Sequence, residues 1–373
     1  MNKLNRLNFT FIIVLLTAAT VAAGQKRQIS GSNSNTATST RYRVINLGKN
    51  GFGNVIGDAD QILGSIYLGG ADRDAGFWPK PKGAVIDLGT LPGFDGSRGL
   101  GMNSRNQMVG LASPISNPVP VFWASPQSAP VELPGLPDGV YGQASGINVG
   151  GQIVGTFFSD TELPVFWSNS SATATYLNEL SDELPFGEAL SVNTAGNIFG
   201  DGCSPDFVEC HAAYWDNSTS TPVALASPGG DFIYTDAGGI SSDLTVSHGL
   251  NDSGSMAGLA YNADFSQTRA VFWANSSSPA IILSTSDEFP NGTAEGISEN
   301  GQIVGTAYNA DFSESHAFLW KDANSPGIDL NTVIPSGRGW VLEIARSVNS
   351  SGAITGEGSA NGVSRAYALI PIR

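Results

Sequence analysis

A nine-residue pattern recurs along this 373-residue chain and constrains the fold more than any other feature. The copies begin at positions 56, 102, 147, 192, 250, 297 and 348, and read IGDADQILG, MNSRNQMVG, INVGGQIVG, VNTAGNIFG, LNDSGSMAG, ISENGQIVG and VNSSGAITG. We call this pattern the box. Self-similarity at a spacing of about 45 residues is typical of solenoids and β-propellers.

Each position of the box fits a tight hairpin between two strands. Position one is apolar in every copy, position two is usually Asn, and position five is Gly, Asn or Asp. An Asn side chain can open a turn, and Gly, Asn and Asp tolerate the left-handed backbone that a short hairpin needs. Position nine is always Gly, which predicts a neighbouring group too close for a Cβ atom.

An aromatic segment follows each box. It ends in Trp at positions 78, 123, 167, 215, 273 and 320, whereas Leu369 takes this place in the last copy. Regular recurrence favours a core role for these Trp residues over stacking on a sugar. A short apolar segment such as AVIDLGTL comes next, so each unit is predicted to contain four short strands, as a propeller blade does.

The two ends of the repeat favour a closed ring over a linear array. The seventh unit stops after its third strand, while residues 44–48 (VINLG) precede the first box and resemble the fourth strand at 85–89 (VIDLG). Pairing these ends would leave no open edge, whereas a linear solenoid would need polar caps. The sequence therefore predicts an all-β, seven-bladed β-propeller over residues 41–373, closed by the N-terminal strand.

The N-terminal residues are predicted to direct secretion. Residues 1–23 combine a basic start, an apolar run and the small residues VAA, which is the pattern of a cleaved signal peptide. The run is too short for the alternative, a membrane anchor. Residues 24–40 are expected to form a flexible polar leader, and the mature protein is expected to be extracellular or periplasmic.

Net charge limits the classes of partner. The chain carries a formal charge of −15, which becomes more negative when Lys3 and Arg6 leave with the signal peptide. A nucleic-acid-binding protein or a protein of anionic membrane surfaces would carry a basic patch. We therefore expect no nucleic-acid partner and no membrane insertion, and we expect an extracellular polysaccharide or protein as partner.

The boxes, together with HAFLW at 316–320 and IDLGTL at 86–91, resemble the HAF-type repeat family of extracellular, mostly bacterial proteins. The resemblance covers nearly all of residues 41–373. The His-Ala-Phe triplet is intact only at 316–318, and the other aromatic segments depart from it. The resemblance implies secretion and a repeat fold, and it implies no catalytic residues.

Few residues have a pattern that indicates chemistry. His211 and His316 occupy one repeat position, where other copies have Arg269 and Arg365, so we interpret them as scaffold. No unique His suits a Ser/His/Asp triad, and the sequence has no zinc or phosphate-binding motif. We therefore predict no catalytic residue, no metal and no cofactor. Cys203 and Cys210 are predicted to form a disulfide in an oxidising compartment.

Candidate ligand-binding residues lie where the repeat is interrupted or duplicated. An insert at 229–245 is predicted to be a Gly-hinged loop, Trp340 is the Trp outside the aromatic segments, and AYNADFS occurs at both 260–266 and 307–313. Blade duplication alone would explain the twin heptads, and a solvated insert with a packed Trp would explain the rest. The candidates are Asp231, Tyr234, Asp236, Tyr261, Asp264, Tyr308, Asp311 and Trp340.

Three functions remain open on sequence alone. The first is a non-catalytic module that binds carbohydrate or protein at a loop face. The second is a secreted polysaccharide hydrolase or lyase with carboxylates in the central funnel. The third is a structural matrix protein without a discrete ligand. Binding and turnover assays on glycans would separate the three.

Overall fold

The computed structural model describes residues 40–49, 51–67, 72–114, 116–238, 248–337 and 339–372. The predicted signal peptide and leader lie outside these residues and stay predictions. Seven antiparallel sheets of four strands each follow one another in chain order, apart from the strand that the N-terminus adds to the last. We number these blades one to seven. The predicted all-β, seven-bladed propeller is confirmed.

Each blade runs from an innermost to an outermost strand. The innermost strands are β2 (Phe52–Ile56), β6 (Gly96–Met102), β10 (Tyr141–Ile147), β14 (Ala189–Val192), β18 (Phe232–Asp236), β22 (Asn291–Ile297) and β26 (Trp340–Val348). The second strands are β3 (Ile62–Ile66), β7 (Met108–Ser113), β11 (Ile153–Phe158), β15 (Ile198–Cys203), β19 (Met256–Asn262), β23 (Ile303–Tyr308) and β27 (Ile354–Ala360).

The third and fourth strands complete the blades. The third strands are β4 (Asp74–Trp78), β8 (Val119–Trp123), β12 (Glu162–Trp167), β16 (Cys210–Trp215), β20 (Thr268–Trp273), β24 (Ser315–Trp320) and β28 (Val363–Ile372). The outermost strands are β5 (Ile86–Asp87), β9 (Val131–Glu132), β13 (Thr175–Tyr176), β17 (Val223–Ala224), β21 (Ile281–Ile282), β25 (Ile328–Asp329) and β1 (Arg41–Lys49). A 3₁₀ turn, Leu330–Thr332, follows β25. Within the described ranges, no helix has the length and apolar character to cross a membrane.

Strand β1 lies in blade seven, beside β28. Val44 is opposite Leu369, and Gly48 is opposite Ala366. Tyr42 is buried, its N–H donates to the Val333 carbonyl at 3.0 Å, and burial raises the pKa of its phenol to about 12. The sheet of blade seven therefore contains strands from both ends of the described chain.

The box forms the hairpin between the first two strands in six blades, and in blade five it forms the turn between Leu250 and Met256 that leads into β19. Asn103 shows how it does so, because its Oδ1 accepts the N–H groups of Arg105 at 3.0 Å and Gln107 at 3.1 Å. Position nine needs Gly because a Cβ there would clash with a carbonyl oxygen of the innermost strand, as with Gly110 and Arg98. Position five has a left-handed φ of 58° to 87° in all copies: Asp60, Asn106, Gly151, Gly196, Gly254, Gly301 and Gly352.

The recurring Trp residues join neighbouring blades. All six are at most 3% exposed. The Nε1–H of Trp167 donates to the Pro134 carbonyl of blade two at 2.8 Å, and that of Trp273 donates to the Ala226 carbonyl of blade four at 2.7 Å. Each of these rings thus fills the core and satisfies a carbonyl in the preceding blade. Their predicted core role is confirmed.

Candidate functional site

The ring has two faces with different chemistry. We call the end where the seven boxes turn the box face. The opposite end, where the second and third strands of each blade are joined, we call the hairpin face. The candidate ligand-binding residues belong to blades five, six and seven, and several of them lie at the hairpin face, so we describe that face first.

Three consecutive blades end in the same hairpin tip. The tips span 204–209, 262–267 and 309–314, in blades four, five and six. In each tip a Phe follows an Asp and has a left-handed backbone, with φ of 56° at Phe207, 59° at Phe265 and 59° at Phe312. We call these the Asp-Phe tips. Sequence comparison missed the first, because it shares only Asp and Phe with the twin heptads.

The Asp side chains of these tips hold the turn closed. In the second tip the Asp264 Oδ1 accepts the Ser266 hydroxyl at 2.7 Å and the Ser266 N–H at 3.1 Å. The Ser266 hydroxyl is the main reason that the pKa of Asp264 lies below its usual value. Hydrogen bonds from the Ser204 and Ser313 side chains lower the pKa values of Asp206 and Asp311 in the same way. All three carboxylates are exposed and therefore charged at neutral pH.

Aromatic rings surround the first two tips. Phe265 stacks on Tyr261 with ring centroids 5.1 Å apart, Tyr261 contacts Tyr234 at 5.5 Å, and Tyr234 contacts His211 of blade four at 6.0 Å. Next to this row lies the predicted disulfide, which the structure confirms between Cys203 and Cys210. This row of rings is partly open to solvent, because His211, Tyr234 and Phe265 are half-buried, as is the neighbouring Phe207. It joins blades four and five at the hairpin face.

The structure corrects one part of the sequence interpretation. Asp231, Tyr234 and Asp236 were predicted to lie on a Gly-hinged loop. Residues 232–236 instead form β18, because they pair with β19 of the same blade, Tyr234 opposite Tyr261 and Asp236 opposite Leu259. Asp231 precedes the strand and is exposed. The remainder of the insert, from residue 239, lies outside the described residues.

The other candidate residues are spread over three blades. Tyr261 and Tyr308 are only 6% and 9% exposed, so their rings lie beneath those of the tip Phe residues rather than at the surface. Asp264 and Asp311 lie at equivalent tips of blades five and six. Trp340 begins β26 in blade seven and packs edge-on against Tyr367 at 6.4 Å. The structure thus brings Tyr234 and Tyr261 together and places Trp340 elsewhere.

The box face contains a cavity that sequence reasoning did not predict. It has a volume of about 390 Å³ and lies where the innermost strands meet the boxes. One position-one side chain from each blade lines it: Ile56, Met102, Ile147, Val192, Leu250, Ile297 and Val348. We call these seven residues the collar. The sequence signal was present, because position one is apolar in every box, but it indicates a core residue equally well.

Asn side chains link the blades around the cavity. The Nδ2 of Asn103 donates to the carbonyl of Asn148 in the next blade at 2.8 Å, and Asn148 repeats this with Asn193 at 2.8 Å. The series continues through Asn193 and Asn251, and Asn349 donates to Gly57 at 2.9 Å. Position two of the box therefore acts between blades as well as within its own turn.

Two carboxylates, Asp58 and Glu299, lie at the rim of the cavity. Glu299 accepts the Asp252 N–H at 2.9 Å, and Asp58 accepts the Ser350 N–H at 2.9 Å. Burial raises the pKa of Glu299, and repulsion from Asp252 and Asp58 raises it further. Arg105 is the basic residue of the seven boxes and is not among the residues that line the cavity. The charged side chains at the rim are thus both negative, and the ammonium of Lys80 contacts the lining carbonyl of Ala59 from outside.

A buried charged cluster lies deeper, between β22 of blade six, strands β26 and β27 of blade seven, and His248, which precedes the box of blade five. The Nε of Arg346 donates to Glu357 at 2.7 Å, and Arg346 Nη1 lies 3.8 Å from the Glu295 carboxylate. Burial and the Arg346 charge lower the pKa of His248 to about 4, so the imidazole is neutral. Its Nε2 is buried without a hydrogen-bond partner in the described chain.

The arrangement of titratable groups gives no catalytic constellation among the described residues. His211 lies 3.3 Å from Glu209, and His316 stacks on Phe289 and bonds Asp329 at 2.8 Å, so both imidazoles have carboxylate partners. The Asp329 hydrogen bond and charge raise the pKa of His316 against the effect of its burial. The described residues also contain no group of three or more His, Cys, Asp or Glu that could hold a metal.

Comparison with known proteins supports the fold. No protein-family model and no curated protein matches the sequence. The structure is similar to YCF48 from Cyanidioschyzon merolae, with a TM-score of 0.51 and 10% identity over 88% of this chain and 98% of that one. It is equally similar to YCF48 bound to a D1 peptide, with a TM-score of 0.51 and 9% identity over 90% of this chain and 96% of that one. The structure is also similar to puromycin hydrolase, with a TM-score of 0.52 and 11% identity. This match covers 89% of this chain and 52% of the hydrolase chain. At such identities the likeness shows the propeller fold alone.

Proposed function

We propose that this chain is a secreted, non-catalytic β-propeller of the HAF-type repeat group that binds an extracellular carbohydrate chain at its hairpin face. The observation that carries the proposal is the repetition of one Asp-Phe tip on three successive blades. A repetitive surface suits a ligand with repeating units. Aromatic faces beside hydrogen-bond acceptors suit sugar rings in particular.

The backbone of the tips supports a role for the Phe rings beyond folding. A left-handed conformation costs a non-Gly residue about 1–2 kcal/mol, and Gly or Asn would occupy it more easily. Strained residues of this kind cluster at ligand-binding sites. The stacking of Phe265 on Tyr261 offsets part of the cost, and contact with a ligand would provide a reason for the ring in all three tips.

The charge of the tips limits the ligand. The second-to-third-strand connections of blades three to six contain no basic residue, and their acidic residues are Asp160, Asp206, Glu209, Asp264, Asp311 and Glu314. Like charges across an interface are costly. The ligand is therefore a neutral or cationic polymer rather than an acidic one.

A glycan-binding assay combined with a turnover assay tests the proposal. The test variant replaces Phe207, Phe265 and Phe312 with Asn, which tolerates the left-handed backbone but lacks the ring. The control is Tyr176→Ala, which removes an exposed aromatic ring from strand β13. We expect the triple variant to lose glycan binding and the control to keep it, with no product formed by either protein.

Each other outcome contradicts a named part of the proposal. Product formation would favour a hydrolase or lyase. Binding that survives the triple substitution would move the site away from the tips. If no glycan is retained by the unmodified protein, the carbohydrate assignment is wrong. Thermal unfolding of each variant is measured beside its binding, so that a loss of binding can be distinguished from a loss of fold.

A further inference from the structure

We propose that the collar cavity on the box face binds a small organic cation with a compact apolar body, independently of any ligand on the hairpin face. The cavity's volume, about 390 Å³, lies within the range of small-molecule sites, which is roughly 300–1,000 Å³. Such sites combine apolar walls with a few convergent polar groups. The collar supplies the walls and the rim supplies the polar groups.

The shape of the collar selects the body of the ligand. Seven blades contribute one aliphatic or Met side chain each, so the apolar lining surrounds the channel axis on all sides. A compact ring or branched alkyl group contacts more of this lining than an extended chain does. Collar residues such as Ile56 and Val348 are held in place by packing, at 4% and 5% exposure.

The rim selects the charge of the ligand. Glu299 and Asp58 both line the cavity, and each uses one carboxylate oxygen to accept a backbone N–H. The second oxygen of each group is left for a ligand donor. Among the described residues that line the cavity none is a lysine or an arginine, and Lys80 donates to the carbonyl of the lining residue Ala59 from outside the lining. An ammonium group at the rim would therefore be attracted by both carboxylates, and a carboxylate would be repelled.

His248 provides an independent indication that something polar binds in the channel. It also lines the cavity, and its buried Nε2 lacks a hydrogen-bond partner within the described ranges. A buried polar atom without a partner is costly and calls for an explanation. A ligand or a bound water that reaches this nitrogen would satisfy it.

Matched probes test the proposal. We would titrate the full chain with cyclohexylammonium, with cyclohexanecarboxylate and with ammonium chloride, and follow binding by ligand-observed NMR. The first two probes share one apolar body and differ in charge, and the third has the charge alone. We expect saturable binding of cyclohexylammonium, at least about tenfold tighter than that of either other probe, because only this probe combines an apolar body with a charged hydrogen bond to the rim.

Isosteric variants locate the site. Glu299→Gln combined with Asp58→Asn keeps an oxygen for each backbone N–H and removes both charges, and it should weaken cyclohexylammonium binding about tenfold. Val192→Phe fills part of the cavity and should also weaken cyclohexylammonium binding. The control is Asp216→Asn, an exposed carboxylate between β16 and β17, outside the cavity, which should change nothing.

Three results would overturn the proposal. One is the absence of saturable binding for every probe. Another is equal binding of the cationic and anionic probes, which would show apolar adsorption without a charge preference. The third is an equal effect of the rim variant and the Asp216 control. The hairpin-face proposal is tested with other ligands and other variants, so either proposal can fail alone.

Discussion

Substituting Trp167 tests the way in which the blades are held together. The indole is fully buried and lies 5.6 Å from the ring of Phe157, at a near-perpendicular angle. Its cluster also contains Val109 and Phe122 of blade two, so the ring fills the space between two blades. Trp→Ala substitutions in protein cores cost about 3–5 kcal/mol. Trp167→Ala should therefore lower the free energy of unfolding by an amount in that range.

A second substitution at the same position separates packing from hydrogen bonding. Trp167→Phe keeps most of the apolar ring but leaves the Pro134 carbonyl without the donor that lies 2.8 Å away. The Pro134 carbonyl keeps the Ala174 N–H as a donor at 3.0 Å, so the substitution removes one hydrogen bond, which contributes about 0.5–1.5 kcal/mol. We expect the free energy of unfolding of Trp167→Phe to lie between that of the unmodified protein and that of Trp167→Ala.

Denaturant titration measures both variants, with the midpoint and the slope fitted separately. Tyr176→Ala provides the control, because this ring is 54% exposed on the outermost strand of the same blade. It should shift the free energy of unfolding by less than about 1 kcal/mol. A shift for Trp167→Ala no larger than that of the control would refute the view that the recurring Trp residues join the blades.

Three further predictions concern the hairpin face and the channel. Replacing Cys203 and Cys210 with Ala should lower the free energy of unfolding by about 2–3 kcal/mol through the loss of loop closure, and reduction of the unmodified protein should have the same effect. Phe265→Gly should be about 1 kcal/mol more stable than Phe265→Ala, because only Ala retains the left-handed strain; equal midpoints would contradict the backbone argument. His248 has a pKa lowered to about 4 in the folded state, while the unfolded chain protonates it near pH 6.5, so acid favours the unfolded chain. The free energy of unfolding should thus fall by up to about 3 kcal/mol between pH 6.5 and 4, and this part of the fall should be missing in His248→Asn.

The parts of the fold that could be predicted are those that the chain repeats. The box dictates a hairpin through local geometry, and seven copies allow each position to be interpreted separately. The left-handed backbone at Asn106 and the close approach behind Gly110 follow from residue type alone. The burial of Trp167 follows from recurrence, since a ligand-binding ring would not be needed in six blades.

The parts that could not be predicted are those where the spacing changes. Strand β18 was taken for a loop because it ends at Asp236, well before the fifth box at residue 250. In the other blades the first strand runs directly into the box, so a strand was not expected this far upstream. The tip at Phe207 was missed because it shares only Asp and Phe with the twin heptads, and Cys203 stands where they have Tyr261 and Tyr308. The collar needed coordinates, because an apolar residue such as Ile147 lines a cavity only once the ring has closed.

The two faces of the ring differ in how freely they can change. On the box face, Asn148 closes its own turn and also donates to the next blade, so a substitution there affects two blades. On the hairpin face, the connection between the second and third strands has two residues in blade seven, at 361–362, and six in blade four, at 204–209, while both blades keep four strands. Under the proposed function, specificity for a polymer would therefore change through the hairpin tips without any change in the ring. The ligand proposed for the collar would be bound by the scaffold itself, so its site would change only together with the contacts that hold the blades in place.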